Sequence, residues 1–389
     1  VPKIFILSDS GVPSGYGRIA DEIGTRLKAR NYEVMAASLQ YDGLLPPMHE
    51  GAPLPYWVGS LAGHPDWLQK TVNMIGAWGP DLVLSIQDFP YHEQLYNSGL
   101  DWSQYGRILI TPVDGVPIFP AWLDTLAKAD EAFTISRFGK QAFAKAGHEV
   151  GLCIPGVNLS AFYKMRDDER AELRKKLGIE EGAFVVGTVA MNQGRKCISL
   201  MLRAFFEFAQ DKPKARYLVD MDAVSPAGWD IPQLCKSFGW DESKLIYKHQ
   251  ALAAGLFELR ERYNVMDAHM VISHREGYGL PLVEAMACGV VSMALDYCSG
   301  TEIVSGRGCL IKPIPYSTPG TWGNAEDKYP DMDDLKAQLQ RLYEDAPYRA
   351  QMAEAGMAWA RTQTWDAAAD NVIAGVERVL KKRAPLLVG

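Results

Sequence analysis

No apolar run in the 389-residue sequence approaches the roughly 20 residues that a spanning helix requires, so no transmembrane segment is expected. The opening Val1-Pro2-Lys3 leads straight into Ile4-Phe5-Ile6-Leu7, which is too short for a signal-peptide core, lacks a cleavage site and reads as a first strand. The six cysteines (Cys153, Cys197, Cys235, Cys288, Cys298, Cys309) contain no CxxC pair, and no histidine cluster has ligand spacing. That excludes a zinc ribbon and fits free thiols in a reducing cytoplasm, the expected location. A net positive charge is also lacking. At −7, the chain disfavours nucleic acid as a partner, although a local basic patch would suffice for one. No short repeat or low-complexity tract is present, which excludes a solenoid.

What is present is the balance of a globular protein, 48% apolar and 22% charged, on a chain long enough for two domains with separate cores. Short β-branched runs alternate with helical stretches, which predicts parallel sheets wrapped by helices. Strands are expected at Lys3–Ser8, Glu33–Ser38, Asp81–Ile86, Arg107–Thr111, Glu131–Ile135 and Glu149–Ile154, and the pattern then restarts. Its second run is Ala183–Ala190, Ala215–Met221, Lys244–Lys248, Ala268–Ser273 and Val290–Leu295. Helices are expected at Arg18–Arg30 and Ile198–Gln210. The turn Pro155-Gly156-Val157-Asn158 and the charged stretch after it place a boundary near Phe162. The expected organisation is an N-terminal Rossmann-like domain over 1–162, a second such domain over 163–360 and a C-terminal helical tail over 361–389 that packs back on the first domain. Two doubly wound units in succession bind ligands at the carboxyl ends of their strands, which here gives a central cleft.

The most informative stretch runs from Arg275-Glu276-Gly277-Tyr278-Gly279-Leu280-Pro281 to Glu284 and Gly289. A glycine turn after a strand, Pro281 in a first helical turn and Gly289 as a C-cap would aim free backbone N–H groups of Gly277, Tyr278, Gly279 and Leu280 at an anion. Glu276 falls on the loop and Glu284 about a turn inside the helix, so one carboxylate can hold a hexose and the other a ribose. Earlier in the same half, Asn192-Gln193-Gly194-Arg195-Lys196 puts two cations on a glycine-bearing turn at a sheet edge, which suits a diphosphate leaving group. In the first half, Pro13-Ser14-Gly15-Tyr16-Gly17-Arg18 allows close approach of backbone to a ligand. Asp220-Met221-Asp222 and Asp331-Met332-Asp333-Asp334 suggest metal sites, but cations and a helix terminus already meet a diphosphate's charge, so no metal is expected.

The Glu276-to-Glu284 segment resembles the E-x7-E signature of glycosyltransferase family 4, the retaining GT-B enzymes. The similarity extends to Thr134–Gly139, to Ile154–Asn158 with Phe162 and to Tyr263-Asn264. The resemblance implies an α/β fold of the GT-B type, with two doubly wound Rossmann-like domains facing a cleft. It implies Glu276 beside the donor sugar, Glu284 on the nucleotide ribose and Lys196 on the diphosphate. The arginine common in the family five residues before that lysine is replaced by Met191, with Arg195 as a substitute, and the family's histidine before Asp114 is replaced by Val113. Gly15, Tyr16 and Gly17 would line the donor side of the cleft, and Asp114 would meet a hydroxyl.

The implied activity is retaining hexosyl or pentosyl transfer from a nucleotide-diphosphate sugar, a substrate rather than a cofactor. A leaving phosphate oxygen takes the acceptor's proton, and closure of the domains excludes water. The acceptor stays open between glycan, lipid-linked sugar, small metabolite and modified DNA base. Aromatic and proline residues over Tyr41–Trp57 and Asp88–Trp102 would receive it. A noncatalytic nucleotide-sugar-binding protein and a nucleotide-sugar epimerase are the alternatives.

Overall fold

The computed structural model describes residues 1–49, 52–248, 256–320 and 325–384, arranged as two compact units. Unit 1 is Val1–Gly156 together with the C-terminal segment from Thr364, and unit 2 is residues 157–320 and 326–363. Residues 50–51 of the aromatic stretch Tyr41–Trp57 and residues 385–389 of the tail lie outside the described residues.

Unit 1 is built on seven strands: β1 (Lys3–Ser8), β2 (Glu33–Ser38), β3 (Trp57–Ser60), β4 (Leu82–Ile86), β5 (Gly106–Thr111), β6 (Glu131–Thr134) and β7 (Gly151–Leu152). All pair in parallel, in the order β3-β2-β1-β4-β5-β6-β7. The near-continuous apolar runs follow from burial on both faces. Ile4, Phe5, Ile6 and Leu7 are fully buried, as are Leu82, Val83 and Leu84. Unit 2 repeats the plan with β8 (Phe184–Val189), β9 (Ala215–Asp220), β10 (Leu245–Lys248), β11 (Ala268–Val271), β12 (Val291–Leu295) and β13 (Cys309–Ile311), ordered β10-β9-β8-β11-β12-β13. Its core joins these strands to Phe205, Phe208, Leu335 and Leu339 from the helices. The buried Thr188 hydroxyl is satisfied by Tyr217 Oη at 2.6 Å and Met270 O at 2.9 Å.

In both units the strand order reverses beside the first strand, between β1 and β4 and between β8 and β11. Those are the crevices where doubly wound sheets take ligands, and the segments leaving β1, β8 and β11 carry the expected site residues except Asp114, which follows β5. The helix Trp365–Arg383 packs within unit 1. There Arg378 forks onto Glu131 at 2.6 and 2.7 Å and Arg26 pairs with Asp366 at 2.7 Å.

Four expectations need correction. The first helix spans Gly15–Ala29, because the Ser14 hydroxyl caps it by accepting from Gly17 N at 2.9 Å, so the glycine turn is itself helical. The strand expected over Glu149–Ile154 shrinks to two residues. Two short edge strands went unread, β3 and β13. The stretch Asp88–Trp102 is no acceptor loop throughout: it contains the helix Phe89–Tyr96, whose Phe89, His92, Leu95 and Tyr96 are buried. Phe89, Tyr96 and Trp102 there belong to the core or pack against it, and Phe89 stacks on Trp122 at 4.9 Å.

Candidate active site

The turn after β8 continues into a single 3-10 turn, Gly194–Lys196, and Cys197 then adopts φ +52 to enter the helix Ile198–Phe208. Asn192 holds this turn in place. Its side-chain amide donates to Asp222 O at 2.9 Å and Trp229 O at 2.7 Å and accepts from Trp229 N at 2.9 Å. Across the reversal point, the loop after β11 is tied to the same turn by His274 N donating to Arg195 O at 2.8 Å. The Arg195 guanidinium donates to Arg275 O at 3.2 Å.

These ties bring the two expected charges together. Lys196 Nζ donates to Glu276 Oε2, Ser273 Oγ donates to the same oxygen at 3.0 Å, and Arg195 Nη1 stands 3.5 Å from it. Lys196 and Glu276 side chains are only 11% and 15% exposed, so water screens the pair poorly. Burial alone would raise the Glu276 carboxyl, but the Lys196 and Arg195 charges and the hydrogen bonds from Lys196 and Ser273 outweigh it and hold it at about 2. Glu276 is therefore an acceptor of hydrogen bonds throughout the physiological range. Such a carboxylate cannot serve as a proton donor.

Gly279 precedes the helix Leu280–Ala287 at φ +103, a conformation that a side chain strains, and Pro281 sits in the first turn. Glu284, inside that helix, is buried and accepts from Tyr263 Oη at 2.7 Å. Tyr263 is itself fully buried against Phe162 and His269. Glu284 thus faces an internal hydroxyl partner, and nothing in the sequence signals that partnership beyond the resemblance at Tyr263-Asn264.

Lys196, Arg195, Glu276, Gly277, Tyr278, Gly279, Leu280 and Glu284 all belong to unit 2. Gly15, Tyr16, Gly17 and Asp114 belong to unit 1. There a Cβ on Gly17 would lie 1.9 Å from Val12 O and 2.7 Å from Asp9 O, so the turn accepts only glycine. The Ser14 hydroxyl donates to Asp9 Oδ2 at 3.0 Å, Gln87 Nε2 donates to Asp9 Oδ1 at 3.0 Å, and Tyr16 Oη donates to Asp88 Oδ1 at 2.5 Å. Asp114 is half buried in the loop after β5, behind the buried Val113. Sequence reasoning overlooked Asp9 and Gln87. It also passed over Ser273, although Ser273 stands three residues before Glu276.

Other polar side chains have structural partners. Asp220 is buried and pairs with Arg262 at 2.6 Å. His92 is fully buried on Ser85 Oγ at 2.8 Å, and burial lowers its pKa to about 4. His274 Nδ1 accepts from the Cys197 thiol at 3.2 Å or donates to Lys328 O at 2.9 Å according to its tautomer. Among the described residues, no group of three or more His, Cys, Asp or Glu side chains is placed to hold a metal ion. No helix among them is long and apolar enough to cross a membrane.

Two reversed-order parallel sheets in succession, the second with cations and a carboxylate at its reversal point, define the GT-B glycosyltransferase fold. Solved structures agree. Sucrose-phosphate synthase from Thermosynechococcus elongatus superposes with a TM-score of 0.77 at 18% identity, covering 98% of this chain and 100% of that one. Anabaena HepE in complex with UDP-glucose gives 0.75 at 17% identity, covering 97% and 99%. Residues 169–359, which hold the Lys196–Glu276 pair and Glu284, match the family described as "Glycosyl transferases group 1". The D-inositol 3-phosphate glycosyltransferase of Segniliparus rotundus is 28% identical over 247 residues, which are 62% of this chain and 49% of that protein. The chain spans about half the length of the curated relatives it matches.

Proposed function

We propose that the chain is a retaining glycosyltransferase that moves a sugar from a nucleotide-diphosphate sugar to a hydroxyl acceptor. The observation that carries this reading is the buried Lys196–Glu276 pair, with Arg195 beside it, at the carboxyl ends of β8 and β11. A diphosphate entering there meets two cations and the amide-rich mouth of the helix Leu280–Ala287, which stabilise the charge that develops as the bond to the sugar breaks. Glu276, ionised and partly freed from Lys196 by the incoming phosphates, accepts hydrogen bonds from hydroxyls of the donor sugar. Glu284 takes the ribose. Retention follows when a phosphate oxygen of the leaving group receives the acceptor's proton on the face from which that group departs.

The match to the group 1 family over the residues that hold this cluster supports the reading. HepE was solved in complex with UDP-glucose, which makes that donor the first to test. Thermal-shift titration with UDP-, GDP-, ADP- and dTDP-sugars should show one that raises the unfolding midpoint as its concentration rises. NMR of the product formed from that donor should show an α-linkage where the donor is α-linked. A β-product would overturn retention, and an absence of stabilisation by any of the sugars would overturn the donor assignment.

A further inference from the structure

Ser299 stands in the first turn of the helix Cys298–Val304, which follows β12, and is fully buried. Its hydroxyl lies 2.7 Å from Glu276 O and 2.8 Å from Tyr278 O, so one proton is shared between two carbonyls of the loop that carries the site carboxylate. In a trans peptide the carbonyl and the following N–H point in opposite directions. Drawing the carbonyls of Glu276 and Tyr278 onto Ser299 therefore turns the N–H groups of Gly277 and Gly279 away from it. Two peptide planes are set by one side chain.

The anchor is itself held fast. Tyr297 N donates to Leu295 O at 2.7 Å, Cys298 takes φ +52, and a Cβ on the next residue but one, Gly300, would lie 2.6 Å from Leu295 O. Ser299 is thus fixed against the carboxyl end of β12, and it transfers that rigidity to a glycine loop whose own sequence, Gly277-Tyr278-Gly279, has little stiffness.

We infer that Ser299 is a positioning residue for diphosphate recognition: it aims the Gly277 and Gly279 amides at the phosphates of a nucleoside diphosphate. This rests on the donor reading above and adds to it the side chain that pre-forms the anion site. A role of this kind acts on the phosphates and leaves the nucleoside untouched, which separates it from general support of the fold.

The test uses the full chain and its Ser299→Ala and Ser299→Cys variants, with binding of UDP, GDP, ADP and inorganic pyrophosphate measured beside uridine, guanosine and adenosine by ligand-observed NMR and calorimetry. For the diphosphate that the parent binds, Ser299→Ala should weaken affinity about tenfold, with the matching nucleoside bound as before. The thiol of Ser299→Cys, a poor donor of similar size, should fall between the two, and it carries the test if the alanine variant does not fold. Equal diphosphate affinity in parent and folded variant overturns the role of Ser299 alone, as does an equal loss for diphosphate and nucleoside. A parent chain that binds none of the diphosphates overturns the donor reading and this inference together.

Discussion

After β1 the chain enters a turn whose polar groups are Asp9 and Ser14, and β4 delivers Gln87 and Asp88 beside them. After β8 the corresponding turn carries Arg195 and Lys196, and β11 delivers Glu276. The strand order is the same and the charge is opposite. A doubly wound sheet therefore fixes where a ligand-facing loop stands and leaves its chemistry to a few side chains. The carboxylates of the two units differ in the same way. Burial, only partly offset by hydrogen bonds from Gly11 N and Tyr56 Oη and by the nearby His49, raises Asp21 of unit 1 to about 7. Glu276 of unit 2, with two cations at hand, is held at about 2.

The largest expected effect breaks the comparison on its basic side. Lys196→Ala removes the cation and leaves Glu276 buried without its main partner, so turnover with a nucleotide-sugar donor should fall by roughly two to three orders of magnitude. A variant with near-parental turnover would take Lys196 out of the mechanism. Next comes the backbone. Gly17→Ala drives a methyl into Val12 O and should cost about 1–3 kcal/mol in denaturant unfolding. The glycine of the other turn, Gly194, has Ala227 O at 4.0 Å as the nearest atom to a Cβ, and its alanine variant should unfold like the parent. Equal losses at both positions would show that the turns are not built differently.

A smaller effect concerns pH. Because Asp21's folded value is raised, its contribution to stability is full below its ordinary value of 3.8 and is lost as pH rises through about 7. Glu276 is depressed, so its contribution is present above 4.5 and is lost only as pH falls through about 2. Between about pH 4.5 and 7.5, unit 1 therefore weakens on this account and the Glu276 cluster does not. Asp21→Asn, which keeps the side chain's shape without the titrating proton, should flatten the decline in unfolding midpoint over that range. Parallel curves for parent and variant would remove Asp21 from the explanation.

The fold was legible because parallel strands buried on both faces leave continuous apolar runs, as at Ile4–Leu7 and Leu82–Leu84. β3 escaped notice because it is a four-residue edge strand that begins on the exposed Trp57 and contains Gly59. The cluster's charged members, Lys196, Arg195 and Glu276, could be named from glycine turns that follow strands. Their pairing could not, since it depends on the neighbouring positions of β8 and β11 in the sheet, which lie far apart in the chain. Ser299 was invisible for the same reason: serine is common, and its two carbonyl partners lie more than twenty residues away. Aromatic richness over Asp88–Trp102 misled in the opposite direction, because composition does not separate a ring that meets solvent from one that fills a core.

Unit 2 is drawn from one nearly uninterrupted stretch of chain, whereas unit 1 recruits the helix Trp365–Arg383 from beyond it. During synthesis the second half can therefore finish folding while the first still waits for its closing element. Until that helix leaves the ribosome, the surface around Gly106 and Phe133, which Val379 and Gly375 later cover, stays open to chaperones and to other nascent chains.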